Sequence, residues 1–147
     1  MRYSTHLVSL KVLGLAFAVL LCPMIMGQDA PSCTGDASLA ALEFRPFQMP
    51  GQTLPTDLLG FEHDLSMYRI ELPDSVKQAM LIAEPTDPSA EVVVNCYVGT
   101  KFVAAHMMDP GLGWFVIDLP EGNSTVRVNV SAMGGAQGVY NIDVLRI

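Results

Sequence analysis

The sequence predicts an all-β chain folded as an antiparallel sandwich of seven or eight short strands, and three observations carry that expectation. Val126, Val128 and Val130 alternate with Arg127 and Asn129, and Tyr140, Ile142 and Val144 alternate with Asn141 and Asp143. Period-two alternation of β-branched and aromatic residues marks half-buried strands. Turn residues punctuate the chain at short intervals, as at Pro120-Glu121-Gly122-Asn123 and Gly134-Gly135. No helical periodicity runs beyond about one turn, with 38–42 and 56–59 the best places for it.

The elements follow in order. The expected strands are 41–47, 67–72, 79–83, 91–98, 101–105, 114–119, 124–132 and 139–145. Pro46, Pro50-Gly51, Pro55 and Gly60 break the first long connection. Pro73-Asp74, Pro85, Pro88, Gly99, Pro110-Gly111 and Gly113 break the rest. Side-chain parity puts Tyr68, Ile70 and Leu72 on one inward face. It adds Leu81, Val92, Val94, Phe115, Ile117, Leu119, the three alternating valines, Tyr140, Ile142 and Val144. The run Val92-Val93-Val94 suggests a central strand covered on both sides.

The N-terminus predicts compartment. Arg2, His6 and Lys11 precede or enter an apolar run ending near Met26, and the small residue Gly27 follows. A charged start, an apolar middle and a small residue describe a secretory signal peptide, expected to be cleaved after Gly27. The apolar stretch from Val12 to Leu21 is short for a spanning helix, which needs about 20 residues. The domain plan is therefore 1–27 signal peptide, 28–38 flexible leader and 39–147 a single sandwich domain, secreted and with no membrane insertion once the signal is gone.

Loss of the signal leaves two cysteines, Cys33 and Cys96, expected to form a disulfide in an oxidising compartment. Closing that loop would stabilise the fold by roughly 4 kcal/mol on the chain-entropy model. A bridge between chains would instead give a covalent homodimer. Arg2 and Lys11 leave with the signal, so six basic residues face fifteen acidic ones, a net of −9. That balance excludes nucleic acid and anionic membrane surfaces as expected partners, since both need a basic patch.

The order of features resembles the cadherin-like β-sandwich domain, an immunoglobulin-like module. The matching residues are Leu39 and Leu42; Leu54 and Pro55; Tyr68, Ile70, Leu72 and Pro73; Leu119, Gly122, Val126, Val128 and Val130 in a late hairpin; and Gly135, Tyr140, Ile142, Val144 and Arg146 at the close. The likeness covers 39–147 and implies an immunoglobulin-like sandwich. The stretch from Cys96 to Met108 departs from it, being longer and more apolar than the family's short hairpin. The acidic calcium motifs of true cadherins are absent from the sequence, so no calcium is implied.

Catalytic chemistry has little to use. The expected mature chain keeps His63 and His106, and has no Gly-x-Ser-x-Gly elbow, no His-x-x-x-His pair and no phosphate loop. The reading is therefore of a non-enzyme, with no catalytic, cofactor-binding or metal site assigned. Glu62-His63-Asp64 is the one compact polar cluster, and it reads as a solvated loop. Asn123-Ser124-Thr125 and Asn129-Val130-Ser131 are sequons, so Asn123 and Asn129 are expected N-glycosylation sites in a eukaryotic source. Trp114, Met108, Met107 and Phe102 are the candidate partner contacts, with Trp114 also able to serve as a lid on the core.

These readings point to a secreted, non-enzymatic binding module with a protein or glycan partner, its contact surface within 101–114. One alternative is a passive structural component of an extracellular matrix or mineralised secretion. Another is a small secreted effector or hydrolase accessory domain.

Overall fold

The computed structural model describes residues 35–147 except Pro110, and these residues hold eight strands and no helix. The strands are β1 (Leu39–Pro46), β2 (Met67–Leu72), β3 (Gln78–Pro85), β4 (Glu91–Val98), β5 (Lys101–Met107), β6 (Trp114–Asp118), β7 (Asn123–Ser131) and β8 (Gln137–Arg146). Each of the eight expected strands is present, and β2 and β4 begin and end where the alternation places them. The helical turn expected at 38–42 is instead the start of β1. The signal peptide and Cys33 lie outside the described residues.

Two sheets form the sandwich, a three-stranded one in the order β1-β3-β6 and a five-stranded one in the order β2-β8-β7-β4-β5. Only the 98–101 and 131–137 connections are hairpins within a sheet; the other five carry the chain from one sheet to the other. The turn at Pro120-Glu121-Gly122 is thus an arch between β6 and β7 rather than the expected hairpin, and Gly122 takes a φ of 79° there. One pairing also departs from a purely antiparallel plan. β2 runs parallel to β8, in register from Met67 opposite Asn141 to Leu72 opposite Arg146. The chain between them, 73–136 with its five intervening strands, supplies the crossover that a parallel pair needs.

The inward faces make one apolar cluster. Phe44, Leu81 and Phe115 lie in a single cross-strand row of the smaller sheet. Tyr140, Val128, Val94 and His106 form a row of the larger one. Burial follows parity through β7, where Val126, Val128 and Val130 are closed off while Arg127 is exposed. Tyr68 and Phe115, expected in the core, are half-buried at its margins. Val93 is also half-covered, so β4, an interior strand next to the edge, is buried fully on one face only.

β1 breaks the alternation. Leu39 and Leu42, three apart, are both fully buried. A register shift between Leu39 and Ala41 inserts one extra residue and brings both leucines to the same face. Tyr140 then ties the layers together, its hydroxyl accepting the Leu39 N–H at 3.0 Å. The outer edge of β1 is closed by the long connection. Asp57 accepts from the backbone N–H groups of Phe44, Leu59 and Gly60, and Leu58 N–H donates to the Phe44 carbonyl.

Residues 35–38, the end of the expected leader, cross the start of β8. Ser38 and Thr86 share a hydroxyl hydrogen bond, and Thr86 N–H donates to the Ser38 carbonyl. The Ala37 carbonyl passes so close to Gly138 that a Cβ there would come within 2.1 Å of it. Gly138→Ala is therefore expected to force the crossing off β8 and destabilise the domain by about 1–3 kcal/mol, as overpacking does. Urea unfolding of the variant checks this, and an unchanged midpoint would count against the close crossing.

Candidate functional site

Three strands lie over five, and the uncovered end of the larger sheet is β5. It is exposed along nearly its whole length on both faces. Among the described residues its outer edge carries no strand, and neither does the outer edge of β6 on the smaller sheet. The two edges approach at His106 and Phe115, whose rings are 5.0 Å apart. This flank is where the sequence placed its contact residues.

The structure separates those residues. Phe102 (54% exposed) and Met107 (71%) stand on the outer face of the larger sheet, while Trp114 (46%) stands on the outer face of the smaller one, opposite Ile82. They do not make one surface. Met108, also expected as a contact, is largely buried, 7% exposed, packing with the core while lining a groove at this end of the sandwich. Its N–H donates to the Val92 carbonyl as the chain leaves β5 and turns between the sheets, which swings the side chain inward.

Beyond Met107 a groove of about 540 Å³ opens at this end of the sandwich, between the 85–91 and 107–113 segments. Pro85, Pro88, Met107, Met108 and Leu112 supply apolar surface, and Glu84, Glu91 and Asp109 supply carboxylates. Asp109 shapes one wall, accepting the Gly111 N–H at 2.8 Å on Oδ1 while its carbonyl receives the Leu112 and Gly113 N–H groups. Asp87 braces the other, accepting from the Ser89 N–H and hydroxyl. Leu112, which sequence reasoning passed over, is a principal exposed apolar group here, and its place between Gly111 and Gly113 was the available signal.

A second arrangement lies on the outer face of the larger sheet. Phe102 meets the Tyr97 ring edge-on at 5.8 Å, and the Arg127 guanidinium sits 5.2 Å from the Tyr97 centroid. Arg127 Nε donates to Asn141, and Thr125 donates to Asp143. Together they make a flat strip of aromatic and polar groups across β5, β4, β7 and β8.

The remaining candidates fall as follows. Asn123 is exposed, and Asn129 points away from the valine face with its Nδ2 donating to the Val93 carbonyl at 3.4 Å. Glu62, His63 and Asp64 are exposed, with His63 against Phe61 at 5.2 Å. No group of three His, Cys, Asp or Glu suited to a metal occurs among the described residues. Cys96 is a half-buried free thiol on the inward side, and burial pushes its pKa up. No disulfide occurs among the described residues, and Cys33 lies outside them. Gly35 lies against the Met133 carbonyl, beyond the Gly138–Val130–Val92 row, and Cys96 stands four positions on from Val92 in β4, about 13 Å along the strand.

No family model and no curated protein sequence matches the chain. Among solved structures, it is similar to the extracellular domain of a hybrid two-component system from B. thetaiotaomicron, with a TM-score of 0.51 at 11% identity. The match covers 77% of this chain and 16% of that one, so the chain spans a small part of the longer protein. At that identity the likeness is one of fold alone.

Two outcomes follow. Met108→Ala is expected to cost about 2–4 kcal/mol by cavity formation, and Trp114→Ala about 1 kcal/mol or less, measured by urea unfolding. Equal costs would return Trp114 to the core. Because the folded Cys96 thiol holds its proton above the unfolded value, its stabilising effect is full below the unfolded thiol pKa and is lost as pH rises through the folded one. Iodoacetamide at mildly alkaline pH is therefore expected to alkylate Cys96 more slowly in folded than in urea-unfolded protein, read by peptide mass spectrometry. Equal rates would contradict the burial.

Proposed function

We propose that this chain is a secreted, non-enzymatic interaction module of the cadherin-like sandwich type, and that it holds a protein partner in the groove at the end of β5. The observation that carries this reading is the groove itself. Its volume lies in the range of binding clefts, and it combines apolar walls with a few polar groups on a rigid sheet scaffold. Met107 and Leu112 stand exposed on its rim, where a soluble surface ordinarily places polar residues. Neither His63 nor His106 lines it. The extracellular setting of the similar fold and the charged, apolar N-terminal sequence support a secreted location. The motif residues Tyr68, Ile70 and Leu72 pair directly with the closing-strand residues Ile142, Val144 and Arg146, which supports the cadherin-like resemblance.

A second reading, a glycan partner, is favoured by the Phe102-Tyr97-Arg127-Asn141 strip, since exposed aromatic faces beside hydrogen-bonding groups suit a polyhydroxylated ligand. A photo-crosslinking residue placed at Leu112 separates the two, with one at Phe102 as its counterpart. A discrete protein adduct at position 112, from protein recovered in its native secretion, is the expected result. An adduct at 102 alone would favour the sheet face, and none at either would favour a passive structural component.

A further inference from the structure

We infer that the groove takes a basic side chain, lysine or arginine, from an extended partner segment. The inference rests on the groove being the binding site proposed above, and names the chemistry of its occupant. Glu84 comes from β3, Glu91 from the start of β4 and Asp109 from the segment after β5, so three separate elements bring a carboxylate to one rim. All three are exposed, and none takes part in an ion pair among the described residues. Among the described residues no lysine or arginine lines the groove.

Of the six cations among the described residues, four are engaged elsewhere, and Lys77 and Lys101 do not line the groove. Arg45 pairs with Glu43, Arg69 faces Glu71, Arg146 is buried against Asp74, and Arg127 lies on Tyr97. The groove is therefore a place where negative charge is left without an internal counterpart. Its walls are apolar, formed by Pro85, Pro88, Met107 and Leu112. An aliphatic stem ending in a cation matches both features, because lysine and arginine lay their methylenes on apolar surface and hold the charge at a polar rim. A bare divalent ion matches neither, since no metal-sized cluster of ligands converges among the described residues. A net charge of −9 for the expected mature chain steers such a cation inward. The unpaired edge of β5 runs up to Met107 on the groove's rim, giving an extended segment a backbone to lie against.

Fluorescence anisotropy tests this with a labelled pentapeptide of alternating leucine and arginine, against the same peptide with glutamate for arginine. The arginine peptide is expected to bind and the glutamate peptide not. Replacing Glu84→Gln and Glu91→Gln together is expected to weaken binding about tenfold, the loss of roughly 1.4 kcal/mol. The control pair Glu71→Gln and Glu121→Gln removes the same net charge far from the groove and is expected to change binding less than about twofold. Leu112→Ser is expected to weaken it as well. Equal losses in the two double variants, or no preference for arginine, would overturn the inference. A protein adduct at position 112 alongside either result would leave the binding site standing and show its occupant to be of another kind.

Discussion

Three strands cannot cover five. Strands lie about 4.8 Å apart in a sheet, so the β1-β3-β6 layer leaves roughly two strand widths of the larger sheet unroofed. Most else in the molecule follows from how that deficit is shared. Over β2 and β8 the chain supplies its own cover: the 47–66 connection folds back, Asp57 pins it to β1, and Phe61 lies against Tyr68 and Tyr140 at 6.4 and 6.1 Å. At the other end nothing covers β5. Its Phe102, Val103 and Met107 stay in water, and the groove opens where the last covered row gives way to loops.

The electrostatics have the same asymmetry. Arg146 carries the one buried guanidinium among the described residues, which donates to the Leu119 and Asp74 carbonyls and meets the Asp74 carboxylate at 3.1 Å. It locks the closing strand to the arches after β2 and β6, on the side away from the groove. Burying a cation is tolerable only with such partners. With six basic side chains among the described residues, one used in this way and others set against their own neighbours, little is left to balance the outer acids. The bare carboxylates at the groove are what remains.

How far the sequence foretold this depends on whether a feature is local. β4 and β7 could be read almost residue by residue, because period two is imposed by the pleat and each valine reports its own face. Leu39 and Leu42 escaped that reading, since the bulge between them changes parity without a signal in composition. Met108 was misplaced for a related reason: strand parity ends at Met107, and the arch that follows obeys a different geometry. The parallel pairing of β2 with β8 joins residues about seventy apart and leaves no mark in either segment alone. The groove is built the same way, from segments that begin some twenty residues apart, and only Leu112 between its glycines hinted at it.

The partnership of β2 with β8 also sets an order of events. Of the strands bordering β8, β2 is made early and β7 just before it, yet β2 has no other strand beside it until β8 exists. A ribosome delivering this chain from its first residue releases the first seven strands with a vacant column in the middle of the larger sheet. The alternating valines of β7 have a wet neighbour until then, and a chaperone has a long interval in which to hold the polypeptide extended. Non-local pairing of this kind is slow to form. A chain that cannot close its larger sheet early is one that stays open for longer.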